Sequence, residues 1–244
     1  HNAALVKQDE SMKDSIEGVL GTTIVRLFEI NAAKTGLSER DAIREGYDIE
    51  TVLVPGNDKA HYFPGNKRII TKLIVDRSTR KVLGAQIVGE GAADKPIDTI
   101  AAAITLGAKV SDLAKLDLAY APPFSMAMNT TILSANVMMN KLTGRIETVK
   151  SGDVYKGLED GSINILDVRE EGEFFISAIP GSTNIPLNEI EARAGEIDKS
   201  KETIILVCKL GERAYSSYLK LKKLGFRNLR VLEGGTCAYP YELI

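Results

Sequence analysis

From about residue 146 to the C-terminus, short apolar runs alternate with helical patterns, and this rhythm constrains the fold more than any other feature of the chain. The runs are SINILDV, TNIPL, ETIILVC and NLRVLEGG, with helix-like patterns at VYKGLED, LNEIEARAGEI and RAYSSYLKLKKLG around and between them. Brief, continuously apolar strands are buried on both faces. Strands alternating with helices then predict an α/β unit built on a parallel sheet.

The preceding part has a different rhythm. GTTIVRLFEI, residues 21 to 30, reads as one strand, and TGLSERDAIREG supplies Ser38 as an N-cap with Asp41 three residues later, opening a short helix. YDIETVLVPG reads as the next strand, with Val54 its last residue before the turn-forming Pro55 and Gly56. KRIITKLIVDRSTRKVLGAQIVGE reads as a hairpin that places Ile69, Thr71, Leu73 and Val75 on one face. KPIDTIAAAITLGA has helical spacing, and SMAMNTTILSANVMMNKLTG predicts a second helix from an N-cap at Ser125 to Gly144. Met126, Met128, Met138 and Met139 are then packing residues of a core or dimer interface. The pattern predicts an α+β domain, an antiparallel sheet with helices added. The expected division is residues 1–145 and 146–244, because 244 residues exceed the ~100 to 200 typical of one domain.

Composition excludes several classes. A net charge of −2 favours no nucleic-acid partner. The longest weakly polar run, LAYAPPFSMAMNTTILSANVMMN, is broken by Pro122 and Pro123, so no membrane span is expected. Residues 1 to 20 are charged throughout, so no signal peptide is expected. Two cysteines, Cys208 and Cys237, make no disulfide framework and fit a reducing cytoplasm. The histidines are His1 and His61 alone, which gives no metal cluster. Gly84, Gly89 and Gly91 have the wrong spacing for a dinucleotide-binding G-x-G-x-x-G loop.

Cys208 stands where an apolar strand runs into a helical pattern. Ligands of open parallel sheets bind beyond such strand ends. Gly211 lets the loop Lys209–Leu210–Gly211–Glu212 turn its N–H groups inward, and with the following helix N-terminus they form an anion site that favours the thiolate. Basic residues from Lys209 and Arg213 to Arg230 outnumber the single acid Glu212 on this stretch, which draws anionic substrates. A cysteine hydrolase needs a histidine base, and no histidine follows His61. A phosphatase loop of the Cys-x5-Arg kind is one residue longer than the Cys-x4-Arg here. The tighter cradle suits a sulfur carried on the cysteine better than a tetrahedral phosphate, which points to persulfide chemistry.

Residues 146–244 resemble a single-domain rhodanese. The resemblance is carried by ILDVREEGEF around Asp167 and Arg169, AIPGSTNIPL, VCKLGERA as a Cys-x-x-Gly-x-Arg loop, LKKLGF and VLEGG. Two positions depart from the family pattern: Ala178 stands where a histidine usually precedes Ile-Pro-Gly, and Tyr239 stands near the usual C-terminal tryptophan. The resemblance implies a sulfurtransferase in which Cys208 accepts a sulfane sulfur and Arg213 braces the loop. The backbone of Lys209, Leu210, Gly211 and Glu212 would hold the persulfide, with Asp167 and Arg169 as scaffold and Cys237 as a structural residue near the site. Thiosulfate, polysulfide or coenzyme A persulfide are the implied donors and thiols the acceptors.

Residues ~15 to 143 resemble the C-terminal dimerisation domain of flavin- and pyridine-nucleotide-dependent disulfide reductases, nearest the coenzyme A-disulfide reductase branch. The matching stretches are GTTIVRLFEINAAKTGL, HYFPG, KLIVDRSTRKVLGAQIVGEGAADKPID and LDLAYAPPFSMAMN. This implies a homodimer and, for the full-length family, FAD, NAD(P)H and coenzyme A. The flavin- and nicotinamide-binding domains are absent from the sequence, so the chain corresponds to the C-terminal part of such a fusion and is expected to bind no cofactor by itself. Tyr62 and Tyr120 match positions that face the partner subunit's redox cysteine, where a phenol can donate to a departing thiolate or persulfide. A noncatalytic rhodanese-like module that binds coenzyme A or a protein is the alternative. Intact Cys208, Gly211 and Arg213 argue against it.

Overall fold

The computed structural model describes residues 18–198 and 203–244. The expectation of no signal peptide falls mainly on residues 1–17 and lies outside the described residues.

Strands β1 (Thr23–Leu27), β2 (Ile30–Gly36), β3 (Ile49–Asn57), β4 (Arg68–Asp76) and β5 (Val82–Gly89) form an antiparallel sheet in the order β1-β2-β5-β4-β3. Helix α1 (Glu39–Arg44) is capped by Ser38, whose side chain accepts from the Asp41 N–H at 3.1 Å, as its spacing predicts. Helices α2 (Asp94–Thr105), α3 (Val110–Leu113) and α4 (Thr130–Leu142) cover one face. Ile69, Leu73 and Val75 of β4 are buried there against Ile97, Ile100, Ala135 and Met138, and Thr71 is buried on the same face. The predicted α+β architecture is what the chain adopts.

Three local expectations for this first unit are overturned. GTTIVRLFEI is a hairpin rather than one strand: β1 and β2 are joined at Phe28 and Glu29, and Phe28 takes a positive φ of 54°. A non-glycine residue at such a turn leaves no signature in the sequence. The strand expected to stop at Val54 continues through Pro55 and Gly56, because β3 is the sheet edge, where proline is tolerated. Gly56 is needed for space as well, since a Cβ there would meet Thr130 Cγ2 at 2.4 Å. Finally, α4 begins four residues later than Ser125 implied: Asn129 is its N-cap, accepting from the Ile132 N–H at 3.0 Å. Met126 and Met128 therefore lie outside the helix, Met138 is core, and Met139 packs on that core.

The second sheet is parallel throughout. Strands β6 (Thr148–Val149), β7 (Ile163–Asp167), β8 (Thr183–Asn184), β9 (Thr203–Val207) and β10 (Leu229–Leu232) lie in the order β6-β10-β9-β7-β8. Helices α5 (Ser151–Asp160), α6 (Glu171–Ile176) and α7 (Glu212–Lys223) surround it, and separate apolar clusters line its two faces. LNEIEARAGEI is not an α-helix; only a 3-10 turn, Ala194–Glu196, forms there. Gly195 weakens helix formation, and Ile190 and Ile197 reach the core from turns instead. Neither β6 nor α6 was anticipated, being too short for periodicity to show.

Candidate active site

Cys208 follows β9 directly and is 2 % exposed, part of one apolar cluster. The thiol is therefore buried at the base of its loop. Gly211 donates its backbone N–H to Cys208 Sγ at 3.1 Å. Gly211 holds φ 110°, which glycine alone adopts readily, and is the N-cap of α7, a helix of 12 residues. The positive helix end thus approaches the sulfur.

The rest of the loop is oriented from outside. Thr236 and Cys237 donate their N–H groups to the carbonyls of Cys208 and Lys209, at 2.9 and 3.0 Å. In a trans peptide the carbonyl and the following N–H point oppositely. Pinning those two carbonyls therefore turns the N–H groups of Lys209 and Leu210 away from the 236–237 turn. Gly235 makes the close approach possible: at φ 56° and ψ −160°, a Cβ there would lie 2.3 Å from Cys208 O and 2.6 Å from Lys209 O. The side chains of Lys209 and Glu212 are exposed and Leu210 is half-buried, so what these residues bring to the sulfur is backbone.

Arg213 forms a two-pronged pair with Glu173 of α6, at 2.5 and 2.9 Å. The hydrogen bonds from Arg213 hold the Glu173 carboxyl below its usual range, and Glu173 in turn raises Arg213. The guanidinium braces α7 against α6, with its charge balanced. Glu173 was not among the residues singled out from sequence; no spacing links positions 173 and 213, which only the packing of α6 brings together. Asp167 and Arg169 form a buried pair, Arg169 Nη2 to Asp167 Oδ2 at 2.6 Å, and Arg169 also donates to the Ser177 carbonyl. They tie the end of β7 to the chain beyond α6, a scaffold role. Ala178 is buried and exchanges backbone hydrogen bonds with Ile244, and Tyr239 is buried against the sheet's other face. Cys237, half-buried, contributes its N–H to the loop as just described.

Tyr62 and Tyr120 are brought to each other. They sit on adjacent loops, where the Ala60 N–H donates to the Pro122 carbonyl, and both phenol rings are exposed. The hydrogen bond with Tyr120 raises the Tyr62 hydroxyl above its ordinary value. Neither lines the cleft of about 220 Å³ between the two sheets' units, which is bordered by Leu210, Gly211 and Glu212 on one side and Leu53, Pro55 and Asn136 on the other.

Gly84 and Gly89 lie inside β5, where a Cβ would meet Leu37 O at 2.0 Å and Arg68 O at 2.2 Å, so these glycines serve strand packing. No described helix is long and apolar enough to cross a membrane.

A parallel sheet with a glycine-bearing cysteine loop, joined behind an antiparallel sheet with helices on one face, is a recognisable pairing. Residues 22–132 match the pyridine nucleotide-disulphide oxidoreductase dimerisation domain, and residues 151–239 match the rhodanese-like domain. The chain carries a dimerisation domain of the pyridine nucleotide-disulphide oxidoreductases followed by a rhodanese-like domain, the arrangement found among coenzyme A-disulfide and persulfide reductases. Over 121 residues it is 43% identical to a CoA-dependent NAD(P)H sulfur oxidoreductase of Pyrococcus furiosus, a match covering 50% of this chain and 27% of that protein. The reduced CoADR-RHD of Bacillus anthracis superposes with a TM-score of 0.86 at 34% identity, over 93% of this chain and 40% of that one. An NAD-dependent persulfide reductase from A. fulgidus gives 0.84 at 40% identity, with the same coverage. The chain thus spans about a quarter of the length of the curated relative and two-fifths of the solved structures.

Proposed function

We propose that Cys208 is a persulfide carrier and that residues 146–244 act as a sulfurtransferase domain. The observation that carries this is the Gly211 N–H on Cys208 Sγ, at a strand end where two further amides are turned by the 236–237 contacts. Thiolate attack on the outer sulfur of thiosulfate forms the Cys208 S–S bond and breaks the donor's S–S bond, releasing sulfite. The added sulfur projects about 2 Å beyond Sγ, and its negative charge is met by backbone dipoles that need no reorganisation. A nucleophile then takes the outer sulfur: cyanide leaves as thiocyanate, a thiol as its persulfide, and the Cys208 thiolate is regenerated. Arg213 acts by holding the loop through Glu173. The buried, closely packed cysteine also supports carriage of one sulfur atom over binding of a larger anion.

In the longer protein this domain would serve a dimeric, flavin-dependent reductase of coenzyme A disulfide, persulfide or polysulfide, with the division between domains near residue 145. Tyr62 and Tyr120 would supply a proton to a thiolate or persulfide leaving the partner's redox centre. Their mutual hydrogen bond and exposure support a site that is completed by another chain. Flavin and nicotinamide enter no step assigned to the residues present here. The test is a thiosulfate-to-cyanide assay with mass spectrometry after incubation with polysulfide. One added sulfur on Cys208 is expected, and Cys208→Ser should reduce thiocyanate formation to background; activity surviving that substitution would sink the mechanism.

A further inference from the structure

The first unit reaches the sulfur loop through a chain of contacts that neither unit possesses alone. Lys141, in the last turn of α4, places its ammonium between Glu50 of β3 at 2.8 Å and Glu233 at 2.5 Å, and donates to the Thr51 carbonyl at 2.9 Å. All three charged side chains are at most 15% exposed. The same Glu233 oxygen accepts from the Thr148 hydroxyl at 2.6 Å, and the Glu233 N–H donates to the Val149 carbonyl. Glu233 immediately precedes Gly234 and Gly235. A Cβ on Gly234 would lie 3.4 Å from Leu53 Cδ2, so this turn rests on β3 on one side. On the other, Gly235, Thr236 and Cys237 hold the carbonyls of Cys208 and Lys209.

We propose that Lys141 is a positioning residue for the Cys208 loop: by fixing Glu233, the dimerisation domain sets the 233–237 turn and through it the direction of the loop amides. A buried carboxylate stripped of its cation cannot stay where it is at low cost. The turn then relaxes, and the carbonyls of Cys208 and Lys209 lose their fixed donors. As a positioner of persulfide-binding amides, Lys141 rests on the reading of Cys208 given above; as a determinant of loop order it does not. A second junction provides the control. Lys150, just before α5, pairs with Glu39 at 2.5 Å, and Glu39 also pairs with Lys72; this cluster joins the same two units and reaches Glu233 only through longer-range charge, with no hydrogen bond or ion pair from Lys150 to the 233–237 turn.

The experiment compares the whole chain with Lys141→Met, Lys141→Arg and Lys150→Met by amide hydrogen exchange at Lys209, Leu210 and Gly211, and by steady-state thiosulfate kinetics. In Lys141→Met these amides are expected to exchange at least about tenfold faster, with kcat lowered about tenfold or more and KM for thiosulfate unchanged. Lys141→Arg restores both, and Lys150→Met changes neither. Unchanged exchange in Lys141→Met, or an equal rise in Lys150→Met, overturns the proposal. If Lys141→Met does not fold, Glu233→Gln, which keeps an acceptor for Thr148, must show the same exchange rise or the proposal fails. Exchange requires no sulfur chemistry, so a native chain that transfers no sulfur defeats the persulfide reading alone.

Discussion

Cys208 and the Tyr62–Tyr120 pair represent opposite ways of building a site. The cysteine is buried, its sulfur held by a backbone N–H, and the loop around it is pinned on its outer side by a second turn. The phenols stand in the open on two loops of the first unit, with each other as hydrogen-bond partner. A site made of backbone dipoles is preorganised by the fold. One made of exposed side chains depends on what covers it. The cysteine loop lies within the rhodanese-like domain, with its outer turn anchored by Lys141 of the first domain, whereas the phenols face outward from the first domain.

The most damaging test on the cysteine side is Gly235→Ala. Its φ and ψ belong to a region nearly closed to other residues, and the new methyl meets two carbonyl oxygens. Sulfur transfer should fall about a hundredfold, as expected for a misplacement near 1 Å. Urea denaturation should show a loss of about 3 kcal/mol. A variant with native turnover would show that the loop is not set from the 236–237 turn.

Glu173→Gln is expected to have a smaller effect, about tenfold on kcat at neutral pH, the equivalent of one charge-assisted hydrogen bond. Its pH dependence has a definite sign. Arg213 keeps the Glu173 carboxyl ionised below its usual range, so the pair's contribution is present above the ordinary carboxylate pKa of 4.5 and is lost as pH falls through the lowered value. Melting temperatures of the native chain should therefore drop over that acidic interval, and Glu173→Gln should flatten this part of the profile. A profile identical in both chains would remove the brace from the account.

The mildest change separates the tyrosines from the cysteine. In Tyr120→Phe the hydrogen bond that raises Tyr62 disappears, and Tyr62 should ionise at lower pH in an ultraviolet titration. If its titration does not move, the two phenols are not coupled in solution.

Legibility followed the range of the interactions. The hairpin of β4 and β5, the Ser38 cap and the parallel β7, β9 and β10 were all readable, because periodicity, capping and strand burial are written within a few neighbouring residues. The turn at Phe28 was not, since a non-glycine residue there leaves no signature; the late start of α4 was not, since Ser125 and Asn129 are both acceptable caps; and the passage of β3 through Pro55 depends on its pairing with β4. At the site, Cys208, Gly211 and Arg213 were marked by their spacing, while Glu173 and Gly235 acquire their roles from packing.

The sequence by itself determined that there are two units of different architecture, that a cysteine ends an internal parallel strand, and that glycine follows it where a positive φ is required. These follow from local patterning and from the steric freedom of single residues. The tertiary structure alone decided which groups hold that cysteine's loop. The carbonyls of Cys208 and Lys209 are met by a turn nearly thirty residues away, and that turn is anchored by a lysine of the other unit. Hydrogen bonds and buried ion pairs between distant segments depend on distances of a few ångströms, which no one-dimensional pattern encodes.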